Sequence, residues 1–131
     1  MSLSVAPTRV ALRVLVVDDR EERRALMGLA LGSTNAPAVD VSEAEGGAAA
    51  LQVIENHGAD IVLIEVQIEG GLALVGSLRS RYPDLVIAVC SFRTDSVIER
   101  LAFEAGADSY IHKPVRREDL LQLAAERIGT R

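Results

Sequence analysis

With 131 residues and a formal charge of −5, the chain is long enough for one domain with its own core, and it lacks the basic excess of a nucleic-acid binder. It has two Phe, two Tyr and no Trp, so Val, Leu, Ile and Ala must build the core. Its single cysteine, Cys90, excludes an internal disulfide and, within the apolar run 86–90, reads as a small buried hydrophobe. No apolar run is long enough to cross a bilayer, and residues 1–7 lack the charged and apolar regions of a secretory signal. A reducing cytoplasm is the simplest location.

A flexible arm is expected over 1–8 and a single domain over 9–131. The first strand is predicted at 14–17, a β-branched run. A helix over 21–31 places Ala25, Leu26, Leu29 and Ala30 on one apolar face. A strand at 39–41 precedes a helix over 47–56, which carries Ala50, Leu51 and Ile54 and ends at His57-Gly58. The third strand, 61–64, leads to a helix over 72–81 with Leu74, Val75 and Leu78, closed by Tyr82-Pro83. The fourth strand, 86–89, leads to a helix over 96–105 with Val97, Leu101 and Ala105, capped by Thr94 or Asp95. A short strand at 110–111 precedes a last helix over 118–128, carrying Leu120, Leu121, Ala124 and Ile128.

Five βα units predict a doubly wound α/β fold with a five-stranded parallel sheet between two helix layers. The first, third and fourth strands are nearly continuous apolar runs, as strands buried on both faces are. In such folds the functional crevice lies beyond the carboxyl ends of the strands. The residues placed there are Asp18-Asp19, Glu65, Ser91 and His112-Lys113-Pro114. Adjacent aspartates repel each other unless a cation neutralises them, and a hard divalent ion such as magnesium would do so. A solvated turn that charges the next helix N-terminus accounts for the pair equally well.

Taken together, in this order, these residues resemble the receiver domains of response regulators. That family carries an acidic pair after strand one, an aspartate after strand three, Ser or Thr after strand four and Lys-Pro after strand five. Glu43-Ala44 with Gly47, Ala50 and Leu51, and the stretch 105–111, are also close to the family pattern. The resemblance covers about 13–128 and implies a CheY-like, flavodoxin-like sheet in the order 2-1-3-4-5. It implies that Asp19 and Asp18 hold a magnesium ion, with Glu65 and the Gln67 backbone carbonyl at the other ligand positions. Ser91 would bond a phosphoryl oxygen, and Lys113 would pair with the acceptor or its phosphate. A cis bond before Pro114 would aim that lysine. Tyr110 matches the aromatic switch. The implied output surface is the fourth helix, fifth strand and fifth helix, facing a sensor histidine kinase, a downstream signalling protein or a second copy.

The chain departs from the family at the acceptor itself, where Glu65 stands for aspartate. One extra methylene displaces an acyl phosphate from its partners, and a shift of about 1 Å can cost roughly a hundredfold in rate. The loop 66–71 is about two residues short and lacks its proline, which disturbs the implied magnesium geometry. Phe92 stands where most receivers have a small residue; it either caps the crevice or packs on the loop after the third strand. Glu65 could instead reach Lys113 or Ser91 and mimic an active state, or the domain could be a fixed scaffold. The alternative is a working phosphoreceiver that takes a phosphoryl group from a histidine kinase with magnesium. A haloacid-dehalogenase phosphatase, which needs two aspartates separated by one residue, is disfavoured because Asp18 and Asp19 are adjacent, and a dinucleotide or P-loop enzyme because no glycine-rich fingerprint follows the first strand. The expected role is therefore a non-enzymatic regulatory module without nucleic-acid or membrane contact. His57 reads as a helix-end residue and His112 as pointing away from Lys113. The arginines at 20–24 and 116–117 read as solvated helix faces, with Arg127 an added candidate for an acidic partner.

Overall fold

A computed structural model describes residues 11–129. The expected arm over 1–8 lies outside the described residues. The strands are β1 (Leu12–Val17), β2 (Val39–Ala44), β3 (Ile61–Glu65), β4 (Val86–Ser91) and β5 (Ser109–His112). The helices are α1 (Glu21–Leu31), α2 (Gly47–Asn56), α3 (Gly71–Arg81), α4 (Ser96–Ala105) and α5 (Arg117–Arg127). The strands are parallel, in the order β2-β1-β3-β4-β5. β2 and β5 extend beyond the apolar runs that marked them, because pairing with an inner strand carries them through polar residues.

Strand alternation divides the core in two. Leu15, Val17, Val62, Ile64, Ile87 and Val89 meet Ala50 and Ile54 of α2, Leu74, Val75 and Leu78 of α3, and Ala102 of α4. Val14, Val16, Ile61, Leu63, Val86, Ala88 and Cys90 face the other way, against Leu31 of α1 and Leu120 and Leu123 of α5. Both faces of β3 and β4 are covered, as their continuous apolar runs require.

Two helices are rotated from their predicted phase. On α1, Ala25, Leu26, Leu29 and Ala30 are exposed, while Leu31 is buried and Met27 partly so. The cause is Arg24, whose Nε bonds Glu43 at 3.2 Å and whose Nη1 bonds the Asp18 carbonyl at 2.7 Å. Gly28, on the same face, lies against Val41. On α4, Val97 and Leu101 are exposed, and Ala102 packs inward beside Ile98 and Ala105. Asp95 caps this helix, accepting the Ile98 N–H at 2.9 Å.

Beyond α4, Arg79 of α3 reaches across to the start of β5. It donates to the carbonyls of Gly106, Pro83 and Leu85 and to Asp108 at 2.6 Å. Asp108 also accepts the Ile87 N–H of β4 at 2.9 Å. Gly106 has φ +121°, and a Cβ there would press on the Arg79 side chain at 2.9 Å, so glycine suits the position twice over.

Candidate functional site

The carboxyl ends of β1, β3, β4 and β5 bring Asp18, Glu65, Ser91 and Lys113 to one crevice. Parallel pairing sets Val17 beside Ile64, Glu65 beside Cys90 and Ser91 beside His112, so the residues that follow or end each strand converge. Asp18 and Glu65 are each 1% exposed, and Ser91 is fully buried. The Lys113 side chain, 6% exposed, reaches Asp18 Oδ2 at 3.2 Å and Glu65 Oε1 at 2.7 Å. The Lys113–Pro114 peptide bond is cis, and the Lys113 N–H donates to the Ser91 carbonyl at 2.9 Å.

Glu65 is folded back on its own loop. Its Oε2 accepts the backbone N–H of Gln67 at 3.0 Å, while its Oε1 is held by Lys113. The loop is anchored by buried Val66 and Ile68, and Gly70 (φ +71°) turns it into α3. The N–H of Gln67 thus joins the site. Ser91 Oγ accepts the Arg93 N–H of its own loop at 3.1 Å. Tyr110 packs partly buried against the α2–α3–α4 side, its hydroxyl donating to the Arg93 carbonyl at 3.0 Å.

One participant escaped the sequence reading. Arg23 belongs to the stretch read as a solvated helix face. Instead its Nη2 lies 2.8 Å from Asp18 Oδ1 and 3.2 Å from Asp19 Oδ1, with Nε 3.1 Å from Asp18 Oδ1. The available signal was its spacing: Asp19 and Arg23 are four residues apart at the start of a helix. Arg24 is likewise engaged, and Arg117 donates to the Pro37 carbonyl at 2.6 Å. Arg127 lies 3.7 Å from Asp108. His57, at the end of α2, sits 2.9 Å from Asp40, and His112 is exposed with its ring edge-on to Tyr110.

Phe92 is 66% exposed, and its ring centroid lies 5.7 Å from Lys113 Nζ. It lines an apolar depression with Leu26, Met27 and Val115, on the α1 side of the crevice.

The carboxylates do not fit a divalent ion as they stand. Asp18 Oδ1 carries Arg23 and the Arg20 N–H, Asp18 Oδ2 carries Lys113, and both Glu65 oxygens are bonded. Among the described residues, no three His, Cys, Asp or Glu side chains form a group able to hold a metal ion. In this structure the carboxylates of Asp18, Asp19 and Glu65 are paired with Lys113 and Arg23.

This network sets the pH response. Burial pushes Asp18 up, but the Arg20 N–H, Lys113 and Arg23 outweigh it and hold the carboxyl below its ordinary value. Burial pulls Lys113 down, but its bond to Glu65 and its pairing with Asp18 outweigh that and hold it above its ordinary value. A lowered acid contributes stability above its unfolded pKa and loses it as pH falls through the folded one. A raised lysine contributes below its unfolded pKa and loses it as pH rises through the folded one. Urea unfolding is therefore expected to show a plateau from about pH 5 to 8, falling on the acid side as Asp18 is protonated and on the alkaline side first as the Cys90 thiol, held protonated by burial, ionises in the unfolded chain. A maximum confined to mildly acidic pH would contradict this pairing.

Acidic, hydroxyl and ammonium groups gathered at the carboxyl ends of a 2-1-3-4-5 parallel sheet define a CheY-like α/β domain. The chain belongs to the response regulator receiver domain family, whose model matches residues 14–125. It is 41% identical over 113 residues to the response regulator MprA of Mycobacterium sp. (strain KMS), covering 84% of this chain and 47% of that protein. It is 35% identical over 114 residues to a cyclic di-GMP phosphodiesterase of Thermotoga maritima, covering 86% of this chain and 29% of that protein. The chain thus spans less than half the length of these curated relatives. A crystal structure of a response regulator from Thermotoga maritima superposes with a TM-score of 0.76 at 26% identity, covering 92% of this chain and all of that one. Among the described residues, no helix is long and apolar enough to cross a membrane.

Proposed function

We propose that this receiver domain works in two-component signalling as a protein-interaction module whose state is set without phosphorylation. The observation that carries this reading is Glu65 in the acceptor position, 1% exposed, with one oxygen on Lys113 and the other on the Gln67 N–H. An acceptor must present an oxygen to a phosphodonor in line; here the group is buried, one oxygen is held by Lys113 and the other is drawn back onto its own loop. The contact that holds Glu65 also places a carboxylate oxygen at 2.7 Å from Lys113, in the manner of a charge that is permanently present. The module has no turnover of its own and needs no magnesium for this role.

Its partners are a sensor histidine kinase or a downstream signalling protein. They dock on the face formed by α4, β5 and α5, which a second copy could also occupy. Exposed Val97, Leu101 and Phe103 on α4 support that choice. A cytoplasmic setting suits such partners.

The test is intact mass after incubation with a small-molecule phosphodonor and magnesium. The parent chain is expected to keep its unmodified mass, and its amide NMR spectrum to be unchanged by the donor. A phosphoryl adduct on the parent at Glu65 would sink this reading and make the domain a working phosphoreceiver.

A further inference from the structure

Three carboxylates, Asp18, Asp19 and Glu65, lie around one crevice, and the cations that face them are Lys113 and Arg23. Lys113 serves the inner side, bridging Asp18 and Glu65. Arg23 serves the outer side, where the acidic pair opens to solvent. Its guanidinium puts two nitrogens on Asp18 Oδ1 and shares one of them with Asp19 Oδ1. From this we infer that Arg23 is a built-in substitute for a divalent cation at the acidic pair, and that it keeps such a cation out.

The physical case has three parts. First, adjacent carboxylates, one of them buried, need a counter-charge, and the guanidinium supplies it with directional bonds as well as charge. Three carboxylates against two cations leave one net negative charge, and it can rest on Asp19, whose side chain is 56% exposed to solvent. Second, a divalent ion entering between Asp18 and Asp19 would have to displace Arg23 from both, and would then stand close to the guanidinium it displaced. Third, Arg23 is delivered by the chain itself. It lies on the first turn of α1, and that turn is fixed by Asp18 Oδ1 accepting the Arg20 N–H at 3.0 Å and by Arg24 on the Asp18 carbonyl. A counter-ion tethered in this way is present at any ion concentration and at any pH that folds the protein, because guanidinium stays protonated. The inference does not depend on whether Glu65 accepts a phosphoryl group.

Manganese(II), which takes the same oxygen ligands as magnesium and is read by electron paramagnetic resonance, is the probe. Four chains are compared at constant ionic strength, by resonance and by melting temperature with and without chelator: the parent, Arg23→Ala, Arg20→Ala, and Arg23→Ala combined with Asp19→Asn. Arg20→Ala removes the same charge from the same turn but not from the acidic pair, since its guanidinium faces Glu22 at 3.9 Å. The parent and Arg20→Ala are expected to bind no manganese and to melt identically with and without it. Arg23→Ala is expected to melt lower in chelator, to recover with manganese, and to bind it at least about tenfold more tightly than the parent. Adding Asp19→Asn is expected to abolish that gain. Manganese binding by the parent at the strength of Arg23→Ala would overturn the inference. So would a folded Arg23→Ala that binds none, or an equal gain in Arg20→Ala.

Discussion

Replacing Lys113 with methionine is expected to lower the unfolding free energy by about 3–5 kcal/mol and the melting temperature by about 10–20 °C. The size follows from what is left behind. Lys113 bridges Asp18 and Glu65, both 1% exposed, and its loss strands Glu65 with only the Gln67 N–H. Asp18 retains Arg23 and the Arg20 N–H, so the greater part of the loss falls on Glu65. Glu65→Gln alone is expected to cost much less, because the amide keeps a hydrogen-bonding oxygen and Lys113 keeps Asp18. Adding Glu65→Leu to Lys113→Met is expected to restore part of the loss, since a buried ion pair exchanged for apolar groups is often nearly neutral. Urea unfolding of the four chains makes the check. If Lys113→Met were as stable as the parent, Glu65 would not be held as described.

Leu31→Ala is expected to cost about 2–5 kcal/mol, whereas Leu29→Ala, two residues away on the same helix, changes stability by no more than about 0.5 kcal/mol. Leu31 is fully buried against β1, β2 and α5, while Leu29 is 82% exposed. The same measurement on Leu26→Ala should follow Leu29. A large loss at Leu29 with a small one at Leu31 would mean that α1 sits in the opposite phase.

That pair of leucines marks the limit of what the sequence made legible. The five βα units, the parallel sheet and the residues at the strand ends could all be read, because β1, β3 and β4 are continuous apolar runs and each helix is punctuated by a cap, a glycine or a proline. The phases of α1 and α4 could not. On α1 the apolar stripe 25, 26, 29 and 30 outscored the inner stripe 24, 27, 28 and 31, which holds an arginine and a glycine. Long-range bonds from Arg24 to Glu43 and Asp18 decide the rotation, and no local count of apolar residues contains them. On α4 only the small Ala102 is fully buried, so bulky Val97 and Leu101 misled the same count.

The candidate site divides along the same line. Asp18, Glu65, Ser91 and Lys113 were named from their places after strands, and the fold brings them together. Arg23 was missed because a charged residue on the first turn of a helix is most often solvated. Only the geometry shows it turned back onto the acidic pair. The Gln67 N–H was missed because the family pattern directed attention to its carbonyl, and a glutamate side chain is long enough to curl onto its own loop.

Cys90 carries a last consequence. It lies on β4 beside Glu65, fully enclosed, and burial pushes its thiol up to about 12. A buried thiol that does not ionise near neutrality is a poor nucleophile and a poor target for oxidants. As the chain's single cysteine, it gives the folded domain no exposed thiol with which to sense the redox poise of its surroundings.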